Sequence, residues 1–599
     1  MDKIVVLDFG GQYAHLIANR VRRLGVYTEI VDGETPASEL SEYKGLILSG
    51  GPSSVHAEDG LKCDPAIMDL GVPMLGICYG HQMIAHTLGG KVEKGQVREY
   101  GSAMVQFSEK KEILEDVKDE ESVWMSHFDQ VVEAPEGFSV VASTPDCPIA
   151  AMMNYERNIY SLQFHPEVTH SPCGMAILEK FVAKTGANRD WSIDSYIEDV
   201  IEEIKEKVGD KKVFLMISGG VDSTVAFLLL AKALGQDRVY GLFVDIGFMR
   251  MNERKEVEEA LKKVGVENLH IYDASEEYYS ALEGIYEPEE KRNIIGELFI
   301  DIQKKVSDDL ELNPDDWILG QGTIYPDTIE TGGTKHADTI KTHHNRVNRV
   351  QKMIEEGKVI EPIAQLYKDE VRLVGERLGL IEEMVWRHPF PGPGLAVRML
   401  CAESEDYPDD NEKLEEEINS VVSSDGLKCK VLPIKSVGVQ GDERTYRHPV
   451  LVYGNQVSWD RLNTLSTQLT NQFPDVNRVV YGLRPSEVGD VTTQKNWMTK
   501  ERVLIIQKAD KVVMDFILEA GINREIWQFP TVLIPVSMDG KNESIVLRPV
   551  CSEEAMTANF YPMEQDKLNE LTKRLAAIKG VSGIFYDITN KPPGTIEWE

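Results

Sequence analysis

Through residues 1–188 the apolar positions come in blocks rather than in alternation. The runs IVVLDFG, GLILSGGP, MLGICYG and IYSLQFHP are short, almost wholly apolar, and end at glycine or a turn. A strand covered on both faces has this character, whereas a strand with one wet face alternates. Helical stretches separate the runs, so the segment predicts an α/β fold with a parallel sheet and functional loops at the carboxyl ends of its strands. Residues 185–190 break the pattern as a polar linker, and a helix is expected over Ile193–Val208. A second α/β series follows. VFLMI runs into SGGVDS and a helix, RVYGLFVD is a strand, and WILGQGTIYPD is a strand and loop. This series closes near HPFPGPGLAVRML, where proline and glycine crowd into a rigid turn.

The last third of the chain repeats itself. One copy reads VLPIKSVGVQGDERTYRHPVLVYG, WDRLNTLSTQLTNQF and VNRVVYGL; the other reads TVLIPVSMDGKNESIVLRPV, EQDKLNELTKRLAAI and VSGIFYDI. Asp460-Arg461-Leu462-Asn463 aligns with Asp566-Lys567-Leu568-Asn569, and Tyr481 with Tyr586. Each copy predicts a strand pair, an amphipathic helix and a returning strand, although chance similarity is the competing explanation. The domains expected are therefore 1–188, 189–398 and 399–599, the last α+β with tandem copies over about 430–485 and 530–590.

Composition narrows the class. A chain of 599 residues is too long for one core, and 42% hydrophobic content is that of a folded protein. No apolar run approaches the ~20 residues that span a bilayer. The opening MDKIVVLDFGGQY reads as a buried strand without signal-peptide character, so a cytoplasmic enzyme is expected. Seven scattered cysteines with no CxxC pair suggest reduced thiols, one of them available for catalysis. A net charge of −35 argues against nucleic-acid binding. Adaptation to a salty cytosol and ordinary acidity explain that charge equally well.

Three elements in the first segment carry chemistry. Gly76-Ile77-Cys78-Tyr79-Gly80 has the form of a nucleophile elbow, with its sulfur near a helix N-terminus that favours thiolate. A cysteine in an apolar setting is otherwise more often inert core. His165-Pro166-Glu167 offers an imidazole to take the thiol proton and a carboxylate to orient it. Ser49-Gly50-Gly51-Pro52 leaves backbone N–H groups free to face an oxyanion. Together these resemble the class I glutamine amidotransferase domain. The resemblance implies Cys78 as nucleophile with His165 and Glu167, oxyanion N–H groups from Gly51 and Tyr79, and Gln82 beside the glutamine.

In the second segment Ser218-Gly219-Gly220-Val221-Asp222-Ser223 joins a strand to a helix without the lysine of a Walker loop. Small residues let the backbone close on phosphate oxygens, and the helix N-terminus adds positive potential. The motif resembles the PP-loop of ATP-pyrophosphatases. Asp222 suits Mg²⁺ or, with equal weight, helix N-capping. Val244 is placed to touch adenine or simply to fill core.

From end to end the chain resembles the GMP synthetase family. The motifs are LSGGP, ICYGHQ, WMSHFD, QFHPEVTH, SGGVDS, KRNIIGELF, QGTIYPD, KTHHN, RHPFPGPGLAVR, VGVQGDER and the tail KPPGTIEWE. The resemblance implies binding of glutamine, ATP and xanthosine monophosphate (XMP). It implies XMP contacts at Arg292, Asp442, Arg444, Gln528, Lys591 and Glu597, and a lid carrying Lys341, His343 and His344. Alone, each of these charges reads as a solvated surface group. Two departures stand out: Ile246 replaces the asparagine of FVDNG, and the lid lacks the Gly-rich VGGLP of shorter members. Shorter members dimerise through one copy of the last domain. Two copies in tandem predict a monomer, with a homodimer as the alternative.

Overall fold

A computed structural model describes residues 1–11, 13–57, 60–266, 269–309, 316–325, 327, 357–440, 443–552 and 558–599. Lys341, His343, His344 and Asp442 lie outside the described residues. Two compact units emerge: Met1–Lys207 with Gly322–Arg377, and Val208–Gln321 with Leu378–Glu599.

The first unit contains a nine-stranded sheet. Tyr27–Asp32, Lys3–Asp8, Gly45–Leu48, Met74–Ile77 and Ile159–Leu162 lie side by side and parallel. The apolar blocks supply both faces of this sheet. Ile4, Val6, Ile47, Leu75 and Ile77 enter one core, while Val5, Leu7, Leu46, Leu48 and Met74 enter another. Full burial of such a side chain contributes about 1.5–3 kcal/mol, so neither face can turn to water cheaply.

Four antiparallel strands extend the sheet: Ala151–Asn154, Ser139–Ser143, Lys91–Phe107 and Glu120–Glu133. The long pair Lys91–Phe107 and Glu120–Glu133 is a feature the block pattern did not predict. Its signal was a period of two, with Val123, Met125 and His127 inward and their neighbours half exposed.

The second unit begins with parallel strands in the order Leu269–Asp273, Val239–Asp245, Lys212–Ile217, Trp317–Gly320. Its C-terminal part holds a mixed sheet whose order is Leu427–Val431, Glu443–Gly454, Val476–Arg484, Val581–Asp587, Glu543–Leu547, Thr531–Ile534. In each copy an antiparallel strand pair leads through a helix to a strand parallel to the second of the pair. The helices are Trp459–Gln472 and Gln565–Ala576, burying Leu462, Leu465 and Leu469 in one and Leu568, Leu571 and Leu575 in the other. The two returning strands pair antiparallel at the centre, with Tyr481 directly opposite Tyr586. Those are the two tyrosines that align in the sequence repeat. The first copy also has Ser436–Gln440, a further strand against Glu443–Gly454.

Candidate active sites

Strand Met74–Ile77 ends at Cys78, and the helix Tyr79–Thr87 begins one residue later. Cys78 has φ 53° and ψ −102°, a conformation that residues with side chains avoid. Glycine on either side makes the turn feasible. A Cβ on Gly80 would sit 2.2 Å from the Leu48 carbonyl oxygen, and one on Gly76 would sit 2.7 Å from that of Gly80. The Cys78 thiol donates to the Ser126 carbonyl at 3.6 Å, and Gln163 Nε2 donates to the sulfur at 3.7 Å.

His165 follows the last parallel strand. Its Nδ1 lies 2.7 Å from Glu167 Oε1, and both residues are buried, 3% and 1% exposed. The backbone holds them: His165 N–H donates to the Trp124 carbonyl at 3.0 Å, and Ser171 Oγ donates to the His165 carbonyl at 2.6 Å. Burial works against a charged imidazole here, but the Glu167 carboxylate and the Cys78 sulfur outweigh it. The His165 pKa is held well above its ordinary value.

A Cβ on Gly50 would come within 3.2 Å of His165 Cε1 and 3.7 Å of Cys78 Cβ. The SGGP turn therefore borders the same space as sulfur and imidazole. Gly51 packs so closely on Phe9 that a Cβ would lie 2.7 Å from its carbonyl oxygen. Tyr79 is the first residue of its helix, so its N–H is among those that intrahelical bonding leaves over. Gln82 is buried, with Nε2 donating to the Asp129 carbonyl at 2.6 Å and to Gln163 Oε1 at 3.2 Å.

The SGGVDS turn belongs to the second unit. Gly219 has φ +81°, and Gly220 caps the helix Val221–Leu234. Ser223 Oγ accepts from Ser218 N–H at 3.1 Å and donates to the Gly220 carbonyl at 3.2 Å, closing the turn on itself. Asp222 stands in the first helical turn, facing the positive end of the helix dipole. Val244 is 6% exposed and Ile246 4%, so both sit in the wall of the strand Val239–Asp245 and its end. Arg387, just before HPFPGPG, donates to the Gly219 carbonyl at 3.1 Å and pairs with Glu253 at 2.6 Å. A cavity of about 600 Å³ lies alongside, lined in part by Arg250, Trp386, Arg387, His388 and Asp510.

The C-terminal tail is threaded through an ionic cluster. Asp587 Oδ2 accepts from Arg478 Nη1 and Trp598 Nε1 and forms an ion pair with Arg548 Nη1, each at 2.9 Å, with all four side chains fully buried. Arg478 also donates to the carbonyls of Thr595 and Glu597, and Arg548 to those of Thr589, Thr595 and Ile596. Burial and the neighbouring Arg548 push the Arg478 guanidinium down to about 9. Glu599 is buried against Lys291, and Arg292 donates to its backbone carboxylate.

Three family models match: "Glutamine amidotransferase class-I" over residues 5–185, "NAD synthase" over 193–298, and "GMP synthase C terminal domain" over 515–598. A glutamine-hydrolysing GMP synthase of Syntrophomonas wolfei is 39% identical over 609 residues, covering 100% of this chain and 99% of the relative. One from Aquifex aeolicus is 43% identical, covering 80% of this chain and 97% of the relative. A probable glutamine-hydrolysing GMP synthase of Leptospira interrogans is 48% identical over 605 residues, covering 100% of this chain and 99% of its own. The chain belongs to the glutamine-hydrolysing GMP synthases. As a GMP synthase it is a ligase that aminates XMP to GMP, using ATP and taking the nitrogen from glutamine.

Of the residues expected to hold XMP in this GMP synthase, Arg292 and Arg444 converge on Glu289 Oε1, at 3.4 and 3.5 Å. Glu597 accepts from Arg398 at 2.9 Å and from Gln528 Nε2 at 3.4 Å. Lys591 is half-buried, and burial followed by Arg548 lowers its pKa. Arg387, Arg398, Arg478, Arg548 and Asp587 escaped the sequence reading. The available signal was a charge inside an otherwise apolar run, as in VNRVVYG and SIVLRPV.

Proposed function

We propose that Cys78, His165 and Glu167 form the glutaminase triad of this GMP synthase, and that SGGVDS cradles the pyrophosphate of ATP. The observation that carries the first assignment is the buried His165–Glu167 contact at 2.7 Å beside a cysteine held at φ 53°. Cys78 attacks the side-chain amide of glutamine while His165 takes the thiol proton and later passes it to departing ammonia. Backbone N–H groups of Gly51 and Tyr79 stabilise the tetrahedral oxyanion. Water then hydrolyses the thioester to glutamate. Gln82 packs the wall of the glutamine pocket, its amide already bonded to Asp129 and Gln163.

At the second site O2 of XMP attacks the α-phosphorus of ATP, pyrophosphate leaves into the SGGVDS cradle, and ammonia displaces AMP at C2. Asp222 would hold the Mg²⁺ that accompanies ATP, since a carboxylate beside a phosphate cradle offers the hard oxygens that ion takes. Bound there, the ion neutralises phosphate charge. Val244 borders the adenine. The XMP phosphate competes with Glu289 for Arg292 and Arg444, a bidentate cationic pair suited to it. Gln528, Lys591 and Glu597 contact the nucleotide from the last domain, and Asp442 is a further candidate contact. Lys341, His343 and His344 are further candidates for contact with the phosphates.

The functional division is 1–188, 189–398 and 399–599, acting in the cytoplasm as a monomer. No described helix is long and apolar enough to cross a membrane. Cys78→Ala tests the central assignment: glutamine-dependent GMP formation falls by about 10⁴-fold or more while ammonia-dependent formation persists. Full glutamine-dependent activity in that variant would remove Cys78 from the mechanism.

A further inference from the structure

We propose that Glu99, His127 and Cys147 form a binding site for a divalent cation of the zinc class, built on the strand that also serves Cys78. Glu99 and His127 are direct cross-strand partners in the long antiparallel pair. Cys147 reaches them from the turn after Ser139–Ser143, where its N–H donates to Thr144 Oγ1 at 2.8 Å. Thr144 Oγ1 in turn donates to Glu99 Oε1 at 3.0 Å, leaving Oε2 directed at His127. Sulfur, ring nitrogen and carboxylate oxygen all lie within 4.8 Å of one another, and His127 Nε2 is 3.1 Å from Glu99 Oε2. Zinc bonds of about 2.0–2.3 Å in a tetrahedron set neighbouring donors roughly 3.3–3.7 Å apart. Binding requires side-chain adjustment that brings all three atoms to that spacing.

Two further observations point to an occupant. His127 is 5% exposed and Cys147 fully buried. Glu99 Oε2 and His127 Nε2 approach to 3.1 Å without hydrogen-bond geometry, and the Asp129 backbone is the other polar group against the His127 ring. Buried polar atoms in native proteins are normally satisfied, so this facing pair beside a buried thiol points to an occupant. The donor set chooses its chemistry. Thiolate with imidazole excludes Mg²⁺ and Ca²⁺, which take oxygen, and suits Zn²⁺. As the sulfur–metal bond forms, the Cys147 proton passes to solvent. Two positive charges then meet one thiolate and one carboxylate, so the filled site is neutral, as burial requires.

The same strand carries the Ser126 carbonyl that accepts from Cys78 and the Asp129 carbonyl that accepts from Gln82. A cation at His127 would fasten the wall on which both depend.

The test uses the full chain carrying Cys78→Ala, so that the nucleophile itself cannot bind metal. After chelation and dialysis it is titrated with Zn²⁺ against a chromophoric competitor. One tight equivalent is expected, weakened about 100-fold or more by Cys147→Ser and by His127→Gln. Co²⁺ should give a thiolate charge-transfer band that Cys147→Ser removes. Without metal, Cys147→Ser should keep the cooperative unfolding transition of the chelated parent, which shows that its own unit folds. Absence of a tight equivalent, or undiminished binding in His127→Gln, overturns the proposal.

Discussion

At Cys78 the chain turns from strand to helix through φ 53° on a residue with a side chain; at Gly219 it makes a comparable turn through φ +81° on one without. The difference follows from what each turn presents. As the proposed nucleophile Cys78 must project its own atom, so strain is accepted there and the neighbouring glycines make room. The proposed phosphate cradle would present backbone N–H groups, and glycine supplies the left-handed conformation without that strain. The partners differ too. His165 and Glu167 stand two residues apart and already touch, whereas Arg292, Arg444 and Glu597 are occupied by protein carboxylates or guanidiniums. One site is set before substrate arrives. On the assignment proposed above, the other would exchange internal pairs for the substrate's phosphate.

The sharpest way to break this contrast is Glu167→Gln. It preserves shape but removes the charge that orients His165, and glutamine-dependent kcat should fall by about 10³–10⁴-fold. Ammonia-dependent synthesis should be untouched; a parallel fall in both would mean that the triad is not a separate preset device. Next in size is Asp587→Asn. It leaves two buried guanidiniums without a full countercharge, costing about 3–5 kcal/mol, read from the urea midpoint of the unit that contains them. A change below 1 kcal/mol would show that the cluster does not hold the tail.

Gly219→Ala should cost about 1–2 kcal/mol, because φ +81° disfavours a Cβ, which would also meet Glu253 and Phe243 at 3.3 Å. Expected are a roughly tenfold weaker apparent ATP affinity and unchanged glutamine hydrolysis. Loss of the glutaminase instead would invert the assignment of the two turns.

The smallest effect is one of pH. His165 has its pKa raised on folding, so its stabilisation is fully present below about 6.5 and lost as pH rises through the folded value. The melting-temperature gap between wild type and Glu167→Gln should therefore be widest near pH 6 and narrow upward. A gap independent of pH would contradict the charged pair.

Much of this could be read from the chain because the determinants are local. Unbroken apolar blocks gave the parallel strands, since two covered faces need no alternation. The repeat gave the paired copies of the last domain, down to Tyr481 and Tyr586. The elbow and the His-Pro-Glu turn are contiguous in sequence, and their backbone geometry is fixed within a few residues. What escaped is non-local. Arg478, Arg548 and Asp587 meet only after strands far apart in sequence pair. The long antiparallel pair was hidden because half of its alternating face is only partly buried. Glu99, His127 and Cys147 follow no spacing motif, because sheet register and a turn, not one helix or loop, bring them together.

The central seam has a consequence for how this enzyme meets dilution. Arg478 comes from one copy of the repeat, Arg548 and Asp587 from the other, and the tail closes over both. Because one backbone joins the copies, the local concentration of each for the other is fixed by covalent connection, not by how many molecules share the solution. That ionic knot therefore needs no encounter between chains to form, and thinning the enzyme to the last few molecules leaves it tied.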